Sequence, residues 1–562
     1  MIFESATCGK YLMSEKHADK IAVFLTVAFM GFMLFFGWQF HPLETHDSGE
    51  HDAYVAKAEQ ILHGQIPYDP YHPLFYPLLV AALSQICADA FVAARFISQF
   101  AASIFILITY LLGKRCYDHH TGLLALFLCA TNFSLLQVGV QVATDMLFAT
   151  LSLLILYRLC CLNRHTHYRS IVWIGFLFAC AYFTRYTAIA LLPIIFGGMI
   201  WIPDVDKKHI AVRLMVFITT AMIFLIPHFV LTYHVFGSPI YDEGWKSLTL
   251  KVYGGNDRTF LSQMPFDGLL SVLTYDPLTH IIHGLEQFGR YAFKGFGHLL
   301  TGDATVMEGG FRYMLESPHY ALNGMLFIAL WLLFSLSIYR QLFSLNRERV
   351  LIFAFYGIYL AMICLTFRQY PRLMLPVLPL SYIAIGHLLL FENTTANLVM
   401  RRFCLKNLAL CVMLVICFQS VVMIKPFRHF VDQHPLSEVA MARELQERLG
   451  SDIRVLSTYR QMQRYVDYEV FFLRNAWSGE YKNSNTYYDF IQHMIRVTQA
   501  DYLLIGKATF ERGPESLLSN SNVPGFLMMF LQMDDVIVYR INRLNVLENL
   551  DLQSFSGNTN QI

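Results

Sequence analysis

Apolar segments long enough to cross a membrane recur along this chain. We predict eleven of them, near residues 21–40, 91–112, 121–140, 146–161, 170–184, 187–202, 213–233, 320–339, 350–366, 373–391 and 406–424. As a helix, about 20 apolar residues span the roughly 30 Å of hydrocarbon in a bilayer. Only 15% of the 562 residues are charged, against about 25% in an average soluble protein. The sequence therefore predicts an α-helical polytopic membrane protein.

The Lys and Arg residues of the short loops predict the orientation, because such residues gather on the cytoplasmic side. The deciding piece is 71–87, YHPLFYPLLVAALSQIC, which is apolar, short and interrupted by prolines. If it does not cross, all basic loops fall on one side; if it crosses, the later ones fall outside. We therefore predict an outer-interface helix here and a cytoplasmic N-terminus. The basic residues concerned are Lys10, Lys16, Lys20, Lys114, Arg115, Arg164, Arg169, Lys207, Lys208, Arg213, Arg340, Arg347, Arg349, Arg401, Arg402 and Lys406.

Overall charge gives no reason to expect a nucleic-acid partner, because 42 Lys and Arg nearly balance 41 Asp and Glu. All eleven cysteines lie in or beside apolar segments or in short basic loops. We predict that they are small buried side chains, as free cysteines usually are. No metal-ligand spacing is present, so no cofactor is predicted with certainty, and scattered acids leave only a divalent cation open.

The composition changes after residue 424. Residues 1–424 form a predicted transmembrane module with interface helices at about 48–88 and a long outer loop at 237–319. Residues 425–550 form a predicted extracytoplasmic α/β domain, and the tail 551–562 is predicted to be disordered. In this domain we predict helices at HPLSEVAMARELQERLG and TYYDFIQHMIRVTQA and strands at SDIRVLST, DYLLIG and VIVYRIN.

The stretch THDSGEHDAY, residues 45–54, places three carboxylates soon after the first apolar segment. The residues from 48 to 63 are predicted to form a helix. Glu50, Tyr54 and Ala58 recur every four residues and therefore lie on one face of it.

The three acids of this stretch divide into a pair and an outlier. Asp47 and Glu50 are three residues apart and can point the same way, whereas Asp52 lies about 200° round the helix from Glu50. One interpretation is a capping box that starts the helix. The other is that one carboxylate of the pair takes a proton from an attacking hydroxyl at the membrane surface.

Further charged residues are predicted at the outer ends of spans. Asp145, in VQVATDMLF, is one candidate; the alternative is that Thr144 or Asp145 caps the following helix. Arg185, Arg368 and Arg372 are cations on the side that is otherwise poor in Lys and Arg. An arginine fork there suits a lipid phosphate, and the alternative is an arginine that snorkels to the headgroups.

Two weaker candidates and one loop complete the predicted outer surface. His72 lies on the second interface helix among tyrosines, which are expected at an interface without any function. Arg95, in VAARFIS, is the weakest of the arginines. The loop 237–319 is long enough to cover a site at this surface.

In their order and spacing, six segments resemble one family, the C-type (GT-C) membrane glycosyltransferases of bacteria. Within it, the chain is most similar to the dolichyl-phosphate-mannose protein mannosyltransferase and aminoarabinose transferase group. The resemblance covers residues from about 15 to 400, and the C-terminal domain suits it. The segments are GEHDAYVAKAEQILHGQIPY, YHPLFYPLLVAAL, AARFISQFAASIFILITYLLGKRCYD, TDMLFATLSLLILYRL, FTRYTAIALLPIIF and PRLMLPVLPLSYIAIG.

The resemblance implies an inverting transfer on the outer face from a polyprenyl-phosphate-linked sugar. It also implies a catalytic base in the first outer loop, typically four residues before a tyrosine. Counting back from Tyr54 gives Glu50, whereas Asp47 fits if the DSG triplet carries the match; Asp52 ranks third.

The same resemblance implies roles for two further residues. Asp145 lies where the family has an acid that binds the sugar or a metal, and Arg372 matches the arginine of an R-x-L-L-P-like pattern. This chain departs from the aminoarabinose enzymes at Ala53, where they carry an arginine, and at 71–74, where they carry Glu-Lys-Pro-Pro. The acceptor and headgroup contacts of those enzymes are therefore not carried over.

We therefore expect a glycosyltransferase of a bacterial inner membrane, with a polyprenyl-phosphate sugar donor and a lipid, glycan or protein acceptor. Two rival functions stay open: a ligase that moves a whole glycan from a polyprenyl carrier, and a lipid flippase or secondary transporter. A transporter typically has an internal repeat and charges near the membrane midplane, whereas here the charges lie at the span ends.

Overall fold

The computed structural model describes residues 14–39, 51–67, 73–87, 89–202, 205–237, 249, 252–253, 269–290, 318–341, 346–366, 371–390, 414, 437–457, 466, 468–472, 484–506, 527–533 and 536–542. The described residues belong to two compact units. One contains the described helices that precede residue 391, except for His51 and Asp52 at the start of α2. The other contains these two residues, residues 249 and 252–253, and a five-stranded sheet.

The helical unit contains fifteen α-helices among the described residues, and two short 3-10 helices, Tyr186–Leu191 and Pro371–Val377. The α-helices are α1 (Glu15–Gln39), α2 (His51–Leu62), α3 (Phe75–Cys87), α4 (Ala90–Cys116), α5 (His119–Ala130), α6 (Phe133–Val140), α7 (Thr144–Cys160), α8 (Tyr168–Thr184), α9 (Leu192–Ile200), α10 (Lys207–Phe236), α11 (Leu269–Tyr275), α12 (Pro277–Arg290), α13 (Pro318–Gln341), α14 (Arg347–Thr366) and α15 (Leu378–Leu390).

Five stretches of the described residues are long and apolar enough to cross a membrane. A sixth arises if α5 and α6, which meet at a bend of 62°, are counted as one broken span. Helices α7 and α8 have 17 residues each, fewer than the roughly 20 of an average span. The last predicted segment, 406–424, lies outside the described residues except for Leu414. The count of eleven spans therefore stays a prediction.

Helix α3 has 13 residues and rises only about 20 Å, too little to cross. The Arg95 guanidinium donates a hydrogen bond to the carbonyl of Gly37 at 2.9 Å. This contact joins the end of α1 to the start of α4, so the chain is at the same end of the unit before and after α3. An interface helix at this place is what the basic loops predict.

Hydrogen bonds and ion pairs gather several of the described basic residues at the opposite end of the unit, which we call the basic end. There Lys114, near the end of α4, contacts Asp19 near the start of α1 at 2.7 Å. The Arg213 guanidinium donates to the carbonyls of Asn163 and Arg164, both at 3.0 Å.

Arg347, at the start of α14, is the centre of the basic end. Its guanidinium donates to four carbonyls at 2.6 to 3.1 Å. They belong to Leu159, Leu162, Gly198 and Trp201, at or just beyond the last turns of α7 and α9. Carbonyls at a helix C-terminus lack helical partners and carry partial negative charge, so one guanidinium joins the ends of two helices to a third.

Helices α4 and α5 approach so closely that only glycine fits at their contact. A Cβ built on Gly113 would lie 2.7 Å from the Cα of Gly122. Five of the seven described cysteines are buried and the other two, Cys87 and Cys161, are half-buried. For these seven, the prediction of small buried side chains holds in the main.

The second unit contains α16 (Ser437–Leu449), α17 (Ser484–Thr498) and a sheet. Its strands are β1 (Arg454–Ser457), β2 (Glu469–Phe472), β3 (Tyr502–Gly506), β4 (Leu527–Met533) and β5 (Val536–Ile541). The strand order is β2-β1-β3-β5-β4; β2, β1 and β3 are parallel, and β5 is antiparallel to β3 and β4.

The structure confirms the predicted α/β fold of this unit. Both of its helices and the strands β1, β3 and β5 are among the elements that the sequence patterns predict. The patterns miss the two edge strands, β2 and β4. Strand β4 exposes Met528, Met529 and Phe530 and contains a register shift between Met529 and Leu531. Because these three consecutive residues are all apolar and all exposed, the sequence lacks the period-2 alternation by which a strand is recognised.

Candidate active site

The candidate site lies at the end of the helical unit where α7 begins and α8 finishes, which we call the site end. Asp145 is in the first turn of α7 and is 3% exposed. Its carboxylate accepts a hydrogen bond from the guanidinium of Arg185, the residue that follows α8. A buried charge is stable only when paired and hydrogen-bonded, so each residue of the pair holds the other in place.

This pairing decides one alternative that the sequence leaves open. The N-cap of α7 is Ala143, with no side-chain cap hydrogen bond. The alternative in which Thr144 or Asp145 caps this helix is therefore wrong, because both lie beyond the N-cap position and both side chains contact other elements.

Tyr54 connects the first interface helix to the start of α7. Its hydroxyl lies 3.4 Å from Oγ1 of Thr144, the residue before Asp145. Its ring packs edge-on against Tyr76 of α3, with centroids 5.4 Å apart. Tyr76 donates to the carbonyl of Ala94 in α4 at 2.9 Å. The two tyrosines therefore join both interface helices to the transmembrane core beside the ion pair.

Lys57 is a charged residue of the site end that sequence patterns missed. It is 7% exposed, and its Nζ lies 6.0 Å from the centroid of the Tyr54 ring. Lysine is rarely this buried in proteins. The signal was available, because Lys57 follows Tyr54 by three residues and Glu50 by seven, spacings that share one helix face. Ala58, predicted on that face, is fully buried.

Arg372 occupies the first turn of the 3-10 helix Pro371–Val377 and is half-buried. The next residue, Leu373, accepts a hydrogen bond from Tyr359 of α14 at 2.9 Å. The Tyr359 ring stacks on Phe148 of α7, with centroids 6.3 Å apart. Because Phe148 is three residues after Asp145, these contacts bring Arg372 to the same end of the unit as the ion pair.

Four predicted site residues, Asp47, Glu50, His72 and Arg368, lie outside the described residues. Of Asp52 only the backbone is described, within the first turn of α2. Arg95, the weakest of the arginine candidates, donates a hydrogen bond to the carbonyl of Gly37. This contact gives the side chain a structural role that requires no ligand.

A metal site was left open by the sequence. Within the part of the chain that the structure describes, no three His, Cys, Asp or Glu side chains come together in a group that could hold a metal ion. Asp145 is paired with Arg185 instead.

Comparison with known proteins gives the architecture a name. A family model described as dolichyl-phosphate-mannose-protein mannosyltransferase matches residues 71–231. The structure of ArnT from Cupriavidus metallidurans in the apo state covers 92% of this chain and 98% of its own, with a TM-score of 0.55 and 10% identity. The chain has the GT-C membrane glycosyltransferase fold.

Two further structures share the GT-C fold with this chain. ArnT bound to undecaprenyl phosphate matches with a TM-score of 0.55 and 10% identity, over 91% of this chain and 97% of its own. An Archaeoglobus fulgidus oligosaccharyltransferase tethered with an acceptor peptide matches with a TM-score of 0.54 and 14% identity, over 93% of this chain and 74% of its own. No curated protein matches the sequence.

The matches confirm the predicted family resemblance and fold class. The segment matched by the mannosyltransferase model runs from just before α3 into α10. It includes Asp145 and Arg185, so the buried ion pair lies in the part of the GT-C fold with the most direct sequence support.

Proposed function

We propose that this protein is an inverting glycosyltransferase of the inner membrane. It moves a sugar from a polyprenyl-phosphate carrier to an acceptor hydroxyl on the extracytoplasmic face. The observation that carries the proposal is the buried Asp145–Arg185 pair at the end opposite the basic end, within a GT-C fold. ArnT is a structural relative that binds undecaprenyl phosphate, which supports a lipid-phosphate donor here.

In the proposed reaction, the acceptor oxygen attacks the anomeric carbon while the bond from that carbon to the phosphate oxygen breaks. The acceptor proton passes to a carboxylate, Glu50 or Asp47, and the polyprenyl phosphate leaves as an anion. Arginine donors stabilise the charge that develops on the phosphate. Arg372 and Arg185 are the proposed donors of the described site, and Arg368 is a third from the segment before it.

Asp145 has a positioning role in this proposal. An arginine held by a buried carboxylate loses less conformational freedom when it binds a ligand, because its side chain is already ordered. Tyr54 holds α2 against the start of α7 through Thr144, which fixes the segment that follows the proposed base.

The test measures transfer of labelled sugar from a polyprenyl-phosphate donor to a membrane extract. It compares the wild type with Asp47→Asn, Glu50→Gln and Arg372→Gln, and uses Glu447→Gln, on the exposed surface of α16, as the matched control. We expect one carboxylate variant to lose nearly all transfer and the control to keep it. Full activity in both carboxylate variants would remove the two residues as base.

Block transfer of a glycan is the second candidate, because the archaeal oligosaccharyltransferase matches almost as well as ArnT. The same assay with an oligosaccharide on a polyprenyl diphosphate separates the two, since a ligase uses only the second donor. Movement of the labelled donor across liposomes without any transfer would support a flippase or transporter instead.

A further inference from the structure

Helix α12 has its apolar face turned away from the protein. Five large apolar residues on one side of this 14-residue helix are between 48% and 67% exposed. They are Leu278, Ile281, Ile282, Leu285 and Phe288. At 100° per residue they occupy one continuous sector of the helix.

The opposite face of α12 is polar and packs against the protein. His280 is 5% and Gln287 3% exposed, and Gly284 lies between them on the same face. His280 is anchored within the loop, since its Nε2 lies 2.9 Å from the carbonyl of Val272 in α11. A surface helix of a water-soluble protein has the reverse arrangement, with its apolar face inward.

Water is an unfavourable surrounding for this arrangement. Large apolar side chains are stabilised when they leave water, and contiguous apolar patches of this kind mark contact surfaces. The exposed face therefore requires an apolar partner.

The contact between α12 and α14 shows at what level this face lies. A Cβ built on Gly284 would be 2.8 Å from Cδ2 of Leu365. Leu365 is the last residue of the candidate span Arg347–Leu365 and is itself 40% exposed. Helix α12 thus lies beside the last turn of a candidate membrane span, where an exposed apolar residue of the span is also present.

Polar groups border the apolar face where an interfacial helix would need them. Glu286 is exposed, and Thr279 lies on the same flank, seven residues earlier. At the start of the helix, Asp276 accepts from the backbone N–H and hydroxyl of Thr279 at 3.1 and 2.6 Å. These hydrogen bonds lower the pKa of the Asp276 carboxyl, so the helix begins with a charged group.

We infer that α12 lies in the plane of the outer leaflet, with the face formed by Leu278, Ile281, Ile282, Leu285 and Phe288 against lipid acyl chains. The occupant of the face is the bilayer itself. Glu286 and Asp276 face the headgroups and water, and the polar face holds the helix on α14. Such a helix keeps the outer loop at the membrane surface beside the segment that leads to Arg372. The inference rests on the membrane fold and does not require the transfer reaction.

The test places an environment-sensitive fluorescent amino acid at Leu285 of the full-length protein in liposomes. The same residue is placed at Ile281 as a second position on the face, at Glu286 on the flank, and at Glu447 as the aqueous control. Quenching is measured with lipids brominated on their acyl chains and, separately, with iodide in the buffer. Monodisperse elution before reconstitution verifies that each labelled variant is folded.

We expect bromolipids to quench the probes at Leu285 and Ile281 several-fold more than the probe at Glu447, and iodide to show the reverse order. Strong iodide quenching at Leu285 and Ile281 would overturn the inference, because the face would then be in water. Protection from both quenchers would also overturn it, because another protein segment would then cover the face. A lipid-facing α12 in a protein without transferase activity would refute the proposed function and leave this inference standing.

Discussion

The carboxylate of Asp145 and the guanidinium of Arg185 form an ion pair between residues forty positions apart, and both belong to the candidate site. The carboxylate is almost fully buried, whereas the arginine side chain is 19% exposed. Removal of either partner therefore has unequal consequences, and this asymmetry gives the first prediction.

Arg185→Gln removes the cation from a carboxylate that cannot reach water, and we expect a loss of about 3 kcal/mol in the free energy of unfolding. Asp145→Asn should cost less, because Arg185 can turn toward solvent. The double variant should lose less than the sum of the two single variants. Unfolding by SDS in mixed micelles measures all three.

Glu444→Gln is the matched control for this cycle, because it breaks an exposed pair with Arg448 and should cost at most about 1 kcal/mol. Strict additivity of the Asp145 and Arg185 variants would contradict the pair as a coupled unit.

The contact between Tyr54 and Thr144 predicts a second coupled effect. Tyr54→Phe and Thr144→Val each remove one hydroxyl of the pair, and each should reduce stability by about 0.5–1.5 kcal/mol. Sugar transfer should also decrease in both variants, because this contact holds α2 against the start of α7, next to Asp145. The two substitutions together should reduce transfer no further than the worse single one. Independent effects on transfer would show that the hydroxyls act separately.

We predict that Arg347, at the basic end of the helical unit, contributes strongly to stability. Arg347→Lys retains the charge but cannot reach the carbonyls of two helices with one ammonium group, whereas the guanidinium fork can. We expect a clear loss of stability, about 2 kcal/mol or more, since hydrogen bonds to charged groups contribute about 1.5–3 kcal/mol each. Arg169→Lys, at an exposed position, is the control and should be neutral in the same unfolding assay.

The close approach of Gly113 to Gly122 gives a prediction about packing. Gly113→Ala introduces a methyl group 2.7 Å from a backbone atom, so α4 and α5 must separate, at a cost of about 1–3 kcal/mol. Gly31→Ala is the matched control within a helix, because a Cβ there meets no atom within 4 Å. Its thermal midpoint should be unchanged or higher. Equal midpoints for the two variants would contradict the contact.

Much of the fold follows from the sequence, because apolar runs predict the membrane-spanning helices and basic loops predict their orientation. Residues 71–87 are an example. Their short length and the positive-inside pattern predict an interface helix, and the Arg95–Gly37 contact agrees with this prediction, because it places the chain at the same end of the unit before and after α3. The helices and inner strands of the second unit follow from periodicity in the same way. The edge strands β2 and β4 do not. Strand β2 has only four residues, and its neighbours Val470 and Phe471 pack on different core clusters. Strand β4 exposes three apolar residues in a row, Met528 to Phe530.

The residue types of the candidate site were also visible in the sequence, since a charged residue at the end of an apolar segment stands out from its surroundings. Asp145, Arg185 and Arg372 are of this kind, whereas Tyr54 stood out by its spacing from Glu50 and Ala58. Lys57 does not stand out in this way, because it lies inside a helix that carries other charged residues. Only its spacing of three residues from Tyr54 indicates that it lies on the buried face.

The sequence by itself determined the membrane class and the kinds of charged group that lie at the ends of the apolar segments. Only the tertiary structure decided how those groups combine: that Asp145 holds Arg185 instead of capping α7, that Arg347 bonds the ends of α7 and α9, and that α12 turns its apolar face outward. The physical reason is that hydropathy and charge act on each segment locally. Pairing depends on contacts between helices that are distant in sequence, and no local pattern encodes them.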